Sequence, residues 1–335
     1  MQAKELDKIK VFFILGRPRS GTTLLRTLFD AHSNVSIPYE GRIIMDLYFK
    51  YGKIKKWDKN KLLNFYDDIT SINKVDAWEF NDDLKEQIIS LGKEASFTRL
   101  IKLVYLNFKS LFKKEDIIII GDKNPYYSIR KSYLKIIKNI FPDAKIIHLV
   151  RDYRAHYFSM TKMNFESSNY GVVASRWLYS YKIIQKQFKN TENYFLIKHE
   201  DITRNPKVEI QRICNFLELE FQPKMLEFYK IKDIVIQKYG EEALKDHSSL
   251  LNPITDKFND KWKDNLSKNT IFKIEGVIGS CSETIGYQRI YSKKNKLLLR
   301  FIFYFYSYIY LFVAHIIDYM PLDLKRKISF IISKK

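Results

Sequence analysis

The sequence predicts an α/β fold, a P-loop-type three-layer domain on a central, mainly parallel sheet, with a helical insertion and a helical C-terminal region. Three observations carry that expectation. Short, largely apolar runs at residues 11–15, 117–120, 144–150 and 194–197 suit strands covered on both faces. Apolar residues at helical spacing fill the intervals between them. The first run leads directly into a glycine-spaced loop and a helix, an arrangement that cradles phosphate. A chain of 335 residues with 46% apolar content is ample for one core. It reads as a single domain over 1–290, with a helical insertion at 43–113, followed by a basic, aromatic-rich tail at 291–335.

The loop runs Gly16, Arg17, Pro18, Arg19, Ser20, Gly21, Thr22, Thr23. Its glycines have the spacing of an ordinary phosphate loop, but Thr22 stands where a nucleotide triphosphatase carries the lysine that reaches the β/γ-phosphates. That points to a nucleotide ligand and away from cutting a γ-phosphate. Leu24, Leu25, Leu28 and Phe29 give the following stretch, 22–31, a helical period, so the loop lies where strand becomes helix and the helix terminus adds partial positive charge. Arg17 and Arg19 bring fixed cations to the same place. Simple capping by Ser20 or Thr22 is the plainer alternative, and it accounts for neither the arginines nor both glycines.

Residues 18–32 closely resemble the 5′-phosphosulfate loop of sulfotransferases that use 3′-phosphoadenosine 5′-phosphosulfate (PAPS), especially the tyrosylprotein and related Golgi and bacterial branch. The resemblance implies that Arg17, Arg19, Ser20, Gly21, Thr22 and Thr23 hold the donor's 5′-phosphate, with no metal. Just after the loop helix, Pro38 breaks its continuation and Glu40 follows. Aligned without a gap, Glu40 coincides with the branch's catalytic glutamate and Arg42 with a neighbouring arginine. The branch has two successive acidic residues there and this chain has Tyr39 before Glu40, which weakens a protein tyrosine acceptor more than it weakens Glu40 as base. His148, His156 and His32 are the rival bases; His148 lies within a strand run and His32 at the helix end.

Residues 43–113 are dominated by helical periodicity with lysine-rich faces and are placed to shape the acceptor site. The isoleucines at 117–120 then form a strand that Gly121 ends, with Lys123 projecting from the carboxyl edge, where open α/β sheets bind ligands. The segment 121–126 resembles the family's Lys-Asp/Asn-Pro element, whose lysine contacts the sulfuryl region; a solvated loop lysine is the alternative. After the strand at 144–150, Arg151 and, two helical turns on, Ser159 converge on one phosphate by forked and hydroxyl bonds. In the resemblance they bind the 3′-phosphate, whereas an Arg–Asp ion pair capping the helix at Asp152 is the structural alternative. A helix over 170–188, a strand over 194–197 and a helix over 206–219, capped by Asn205, follow. Lys198, His199, Glu200 and Asp201 resemble a family segment near adenine, with His199 replacing the usual tyrosine. Among the late residues Ser248, Ser249, Lys257 and Lys263, the one that closes on the nucleotide is left open.

A net charge of +20 permits nucleic acid, an anionic membrane or an acidic glycan. The lysines are spread along the chain, without zinc-finger spacing, an aromatic RNA-binding signature or a basic helix, so no nucleic acid partner is expected. Cys214 and Cys281 are far apart and the charged first ten residues carry no signal-like apolar segment, which points to a cytoplasmic protein, peripheral on the inner membrane face. Residues 301–317 lack Asp, Glu, Lys and Arg, hold four tyrosines and are flanked by basic clusters. The preferred reading is that 297–330 docks on an anionic membrane surface; burial in the domain or a homo-oligomer contact, and a true span, are the others.

The expected reaction is in-line displacement that moves the sulfuryl group of PAPS to a hydroxyl of a glycan, lipid or small molecule. Glu40 serves as general base and Lys123 and Arg19 oppose charge on the sulfuryl oxygens. A nucleotide kinase with a degenerate loop and a non-catalytic, membrane-associated nucleotide-binding protein are the alternatives.

Overall fold

The computed structural model describes residues 2–72, 75, 78–163, 167–239, 250–291, 297–318, 320 and 324. Five strands form one sheet: β1 (Lys10–Leu15), β2 (Val35–Ser36), β3 (Ile119–Lys123), β4 (Lys145–Val150) and β5 (Tyr194–Lys198). Their order is β2-β3-β1-β4-β5 and every pairing is parallel. The chain direction of strand placement reverses around β1, so the crevice beyond its carboxyl end is the switch point where such sheets bind ligands.

Alternation along β1 builds the layers. Val11, Phe13 and Leu15 enter one apolar core, while Phe12 and Ile14 enter the other. The first face carries α1 (Ala3–Lys8), which precedes β1, and the insertion helices that follow α2 (Thr22–Asp30). These are α3 (Ile43–Tyr51), α4 (Lys59–Thr70), α5 (Leu84–Ser90) and α6 (Phe97–Leu106), joined on that face by α7 (Lys131–Ile140). Asp58 caps α4 through the Lys61 amide at 2.9 Å, and Ser96 caps α6 through the Arg99 amide at 3.3 Å. After β4 come α8 (Tyr153–Met160) and α9 (Tyr170–Phe188), and after β5 come α10 (His199–Arg204) and α11 (Pro206–Leu217). The opposite core packs α2 and α11 against β1, β3 and β4. Among the described residues the remaining α-helices are α12 (Lys232–Tyr239), α13 (Trp262–Asn265), α14 (Lys268–Ile278) and α15 (Leu297–Asp318).

Four details differ from the sequence expectation. Residues 3–8, within the charged first ten, form a helix that sequence reasoning does not anticipate; Ala3 and Leu6 are buried and Arg99 grips Asp7 at 2.7 and 2.9 Å. Gly121 does not end β3; it lies within it, opposite Phe12, and Ile118 stays outside. The Phe12 ring and Ile37 occupy the space where a side chain at 121 would stand. Asn205 occupies the cap position of α11, yet its side chain makes no capping bond there. The helix itself stops at Leu217, two residues early, where Glu218 takes a left-handed conformation.

α15 packs along α9 and α14. The Phe303 ring fills the space beside Gly171, Ser307 and Ser175 share a hydrogen bond of 2.9 Å, and Arg300 donates to the carbonyls of Val277 and Ile278 at 2.7 and 2.8 Å.

Replacing Gly121 by valine overpacks the contact between Phe12 and Ile37, at a cost of about 1–3 kcal/mol. Equilibrium urea unfolding of Gly121→Val should show a lower midpoint with an unchanged slope; an unchanged midpoint would mean that Phe12 does not need this space.

Candidate active site

The loop leaves β1 at Gly16, where any side chain would collide with the Leu149 carbonyl on β4. Arg19 and Gly21 both take left-handed conformations, φ 63° and 90°, on either side of Ser20. For the arginine this backbone costs on the order of 1–3 kcal/mol. The strain is concentrated where the loop meets the N-terminus of α2, a place suited to an anion. Gly21 also has no room for a side chain, because the His199 imidazole lies over it.

Beside the loop opens a cavity of about 520 Å³, the size of a nucleotide-scale site. Arg19, Gly21, Thr22 and Thr23 form one wall, Arg151 and Ser159 another, and His199 and Thr203 a third; residues 252–255, Phe258 and Lys261 close the rim. Arg151 Nη1 donates to the Arg19 carbonyl at 2.9 Å and Arg19 Nε donates to Ser159 Oγ at 3.1 Å. Trp177 Nε1 holds the Arg151 carbonyl at 3.0 Å. Residues 132 positions apart thus form one cationic pocket. Burial lowers the Arg151 guanidinium from its ordinary range, Glu200 opposes that and Arg19 adds to it. Burial and the Arg151 charge push the His199 imidazole down to about 3, so it is neutral at physiological pH.

A second constellation adjoins the loop on its other side. Lys123 closes β3 with a side chain only 2% exposed; its ammonium contacts Thr23 Oγ1 at 3.3 Å and forms an ion pair with the Glu40 carboxylate. Glu40 is one third exposed, which leaves the carboxylate open to an incoming group. Its segment is held by Arg26, which pairs with Asp30 at 2.9 Å and donates from Nε to the carbonyls of Ile37 and Pro38 at 2.9 and 3.2 Å. The same guanidinium lies 3.9 Å over the Tyr39 ring. Tyr39 therefore packs toward the insertion, edge-on to Phe108, while its neighbour Glu40 meets Lys123. Arg42 pairs with Asp46 at 2.7 Å.

The other sequence candidates fall as follows. Arg17 and Ser20 are buried in the loop and do not line the cavity, and neither do Glu40 and Lys123. Asp152 caps α8 and pairs with Arg154 at 2.7 Å, and Arg151 lines the cavity. His148 is a core residue bonded to the Tyr194 hydroxyl at 2.7 Å and held down to about 3 by burial. His32 faces the Glu220 carbonyl at 2.9 Å, and His156 is buried in α8. Lys263 pairs with Asp260 at 3.1 Å and Lys257 is exposed, whereas Lys261 lines the cavity. Ser248 and Ser249 lie outside the described residues. Sequence reasoning missed Lys162, Phe258 and Lys261 on the cavity wall; Lys261 lies between the candidates Lys257 and Lys263, and the turn before α13 decides which lysine lines the cavity. Among the described residues, no cluster of His, Cys, Asp and Glu is suited to a metal ion.

A parallel sheet, a lysine-free phosphate loop at its switch point and a cationic cavity beside it define a nucleotide-dependent group-transfer enzyme. A model of the sulfotransferase family matches residues 12–223, and the chain belongs to that family. A Caenorhabditis briggsae relative, named provisionally as a protein-tyrosine sulfotransferase, is 24% identical over 291 residues, 85% of this chain and 91% of its own length. Protein-tyrosine sulfotransferase A of Caenorhabditis elegans is 23% identical over 79% of this chain, which spans 64% of that relative. The sulfotransferase domain of the curacin biosynthetic pathway shares the fold with a TM-score of 0.54, at 20% identity, over 84% of this chain and 99% of that domain. The protein is accordingly a PAPS-dependent sulfotransferase with a hydroxyl-bearing acceptor, and the kinase reading is not favoured.

Next to Lys123, Asp122 points to the opposite face, toward Tyr105 and Tyr127, and burial pushes its carboxyl up to about 7. The folded protein holds this proton more tightly than the unfolded chain does. The stability it confers is present below the ordinary carboxylate range and is lost as pH rises toward 7. Thermal unfolding of wild type and Asp122→Asn between about pH 4 and 7 should show wild type losing ground to the variant as pH rises; parallel curves would refute the assignment.

Proposed function

We propose that Glu40 is the general base of sulfuryl transfer and that Lys123 and Arg19 carry the electrostatic work. The observation that carries this reading is the single Lys123 ammonium that touches both Thr23 of the phosphate loop and the Glu40 carboxylate. Donor side and acceptor side share one buried cation. In the transfer, the acceptor O–H bond breaks with its proton passing to Glu40, and the acceptor oxygen forms a bond to sulfur. The bond from sulfur to the bridging oxygen breaks, and its electron pair leaves with the 5′-phosphate of 3′,5′-diphosphoadenosine. Lys123 exchanges its carboxylate contact for the negative charge that builds on the bridging oxygen, as Glu40 becomes neutral by taking the proton.

The loop residues Arg17, Arg19, Ser20, Gly21, Thr22 and Thr23 hold the 5′-phosphate, and Arg151 with Ser159 holds the 3′-phosphate. Phe158 and Phe258, both on the cavity wall, offer flat apolar surface to the base. The acceptor is a hydroxyl of a glycan, glycolipid or small molecule, and the domain over 1–290 carries the whole reaction. A peptide tyrosine is the second reading, supported by the names of the relatives. Two free thiols, buried Cys214 and half-buried Cys281, suit the reducing cytoplasm.

Lys123→Ala and Glu40→Ala should each slow transfer of label from radiolabelled donor by about two or more orders of magnitude; near-wild-type rates in both would sink the mechanism. Arg151→Ala should weaken binding of 3′,5′-diphosphoadenosine at least about tenfold in calorimetry, and unchanged affinity would remove its role. Fractionating labelled host extract into lipid, glycan and protein decides between the two acceptor readings.

A further inference from the structure

We propose that the outward face of α15 docks on an anionic lipid bilayer, and that docking turns the acceptor side of the Lys123–Glu40 pair toward the membrane. The second half rests on the catalytic reading above; the first stands without it.

α15 is 22 residues long, about 33 Å of helix. Its inward face is settled by Phe303, Tyr304 and Ser307 against α9. Its outward face is the reverse of a water-facing surface: Leu298 is 73% exposed, Phe301 70% and Phe312 58%, with Phe305 and Tyr308 between them. These residues recur every three or four positions, so they form one stripe. Arg300, the one basic residue at the start of the helix, is folded back onto the Val277 and Ile278 carbonyls, which leaves the stripe free of its charge. An apolar surface of this length marks an interaction site.

Charge identifies the occupant. In sequence, Lys293, Lys294 and Lys296 precede the helix, and Lys325, Arg326 and Lys327 follow it. Two copies joined by this stripe, parallel or antiparallel, would set basic cluster against basic cluster. Anionic headgroups attract both clusters while the stripe enters the acyl boundary. Among the described residues no helix is long and apolar enough to cross a membrane, and in the docked arrangement Tyr308 is suited to the headgroup layer.

A run of contacts joins α15 to the segment that carries Glu40. Arg130 donates to the Leu311 carbonyl of α15 at 3.2 Å and lies 4.5 Å over the Tyr126 ring. The Arg42 guanidinium lies 5.0 Å over the same ring, two residues beyond Glu40. The acceptor approaches Glu40 beside the element that meets the lipid, which selects a hydroxyl carried on a membrane-borne molecule.

The test is flotation of the full chain with vesicles of phosphatidylcholine, with and without phosphatidylglycerol. Binding should require the anionic lipid and fall about tenfold or more at high salt and in the triple variant Phe301→Glu, Phe305→Glu, Phe312→Glu. Unchanged 3′,5′-diphosphoadenosine affinity in that variant establishes that it is folded. Equal flotation with and without phosphatidylglycerol overturns the proposal, as does a sedimentation dimer that the triple variant converts to monomer. Glu40→Ala should float like wild type, which separates docking from catalysis. Equal labelling of host-lipid vesicles by wild type and the triple variant would overturn the orientation of the acceptor side.

Discussion

An ammonium buried as deeply as that of Lys123 has to be met by a carboxylate, because an unpaired charge in that position costs several kcal/mol. Three separate stretches are organised by this demand. β3 must end where its last side chain reaches over the loop, Thr23 must offer its hydroxyl from the first turn of α2, and the segment after β2 must turn Glu40 inward. The turn is enforced by Arg26, itself buried and matched by Asp30, which in turn accepts from Ser110 Oγ at 2.8 Å and Lys114 at 3.1 Å. Lys114, Asp30 and Arg26 therefore alternate in sign, and Arg26 passes the restraint on to the segment of Glu40 through the Ile37 and Pro38 carbonyls.

The cavity obeys a different rule. There Arg19 and Arg151 stand close together, with Lys162 and Lys261 on the same walls, and the arrangement suits a ligand that carries more than one negative charge. His199, kept neutral by its surroundings, adds shape without adding charge. Its ring lies over Gly21, so it also packs against the glycine-spaced loop.

The central strands, α2, α9 and α11 are legible in the sequence because each has an uninterrupted period and clear punctuation. Val35–Ser36 is not: two residues beside Ile119 and Ile120 leave no pattern to read. The loop and Arg151 are visible as motifs, since strand, turn and helix place them locally. The meeting of Glu40 with Lys123 spans 83 positions, and nothing in residue spacing announces it; the resemblance brought both residues forward, and packing of Arg26 and Tyr39 makes the contact. Lys261, rather than Lys257 or Lys263, faces the cavity because of one short turn before α13, a matter of backbone direction that composition does not record.

The sheet register also fixes a temporal order. β1 occupies the centre, yet its partners begin at Ile119 and Lys145, so the first strand synthesised waits for more than a hundred further residues before it can pair. During that wait the helices available on the face of Val11, Phe13 and Leu15 are α1 and the insertion helices α3–α6, which share one core with them in the finished fold. Such non-local pairing slows folding and prolongs the exposure of sticky strand edges. The insertion thus supplies part of the core that covers the central strand before the rest of the sheet arrives.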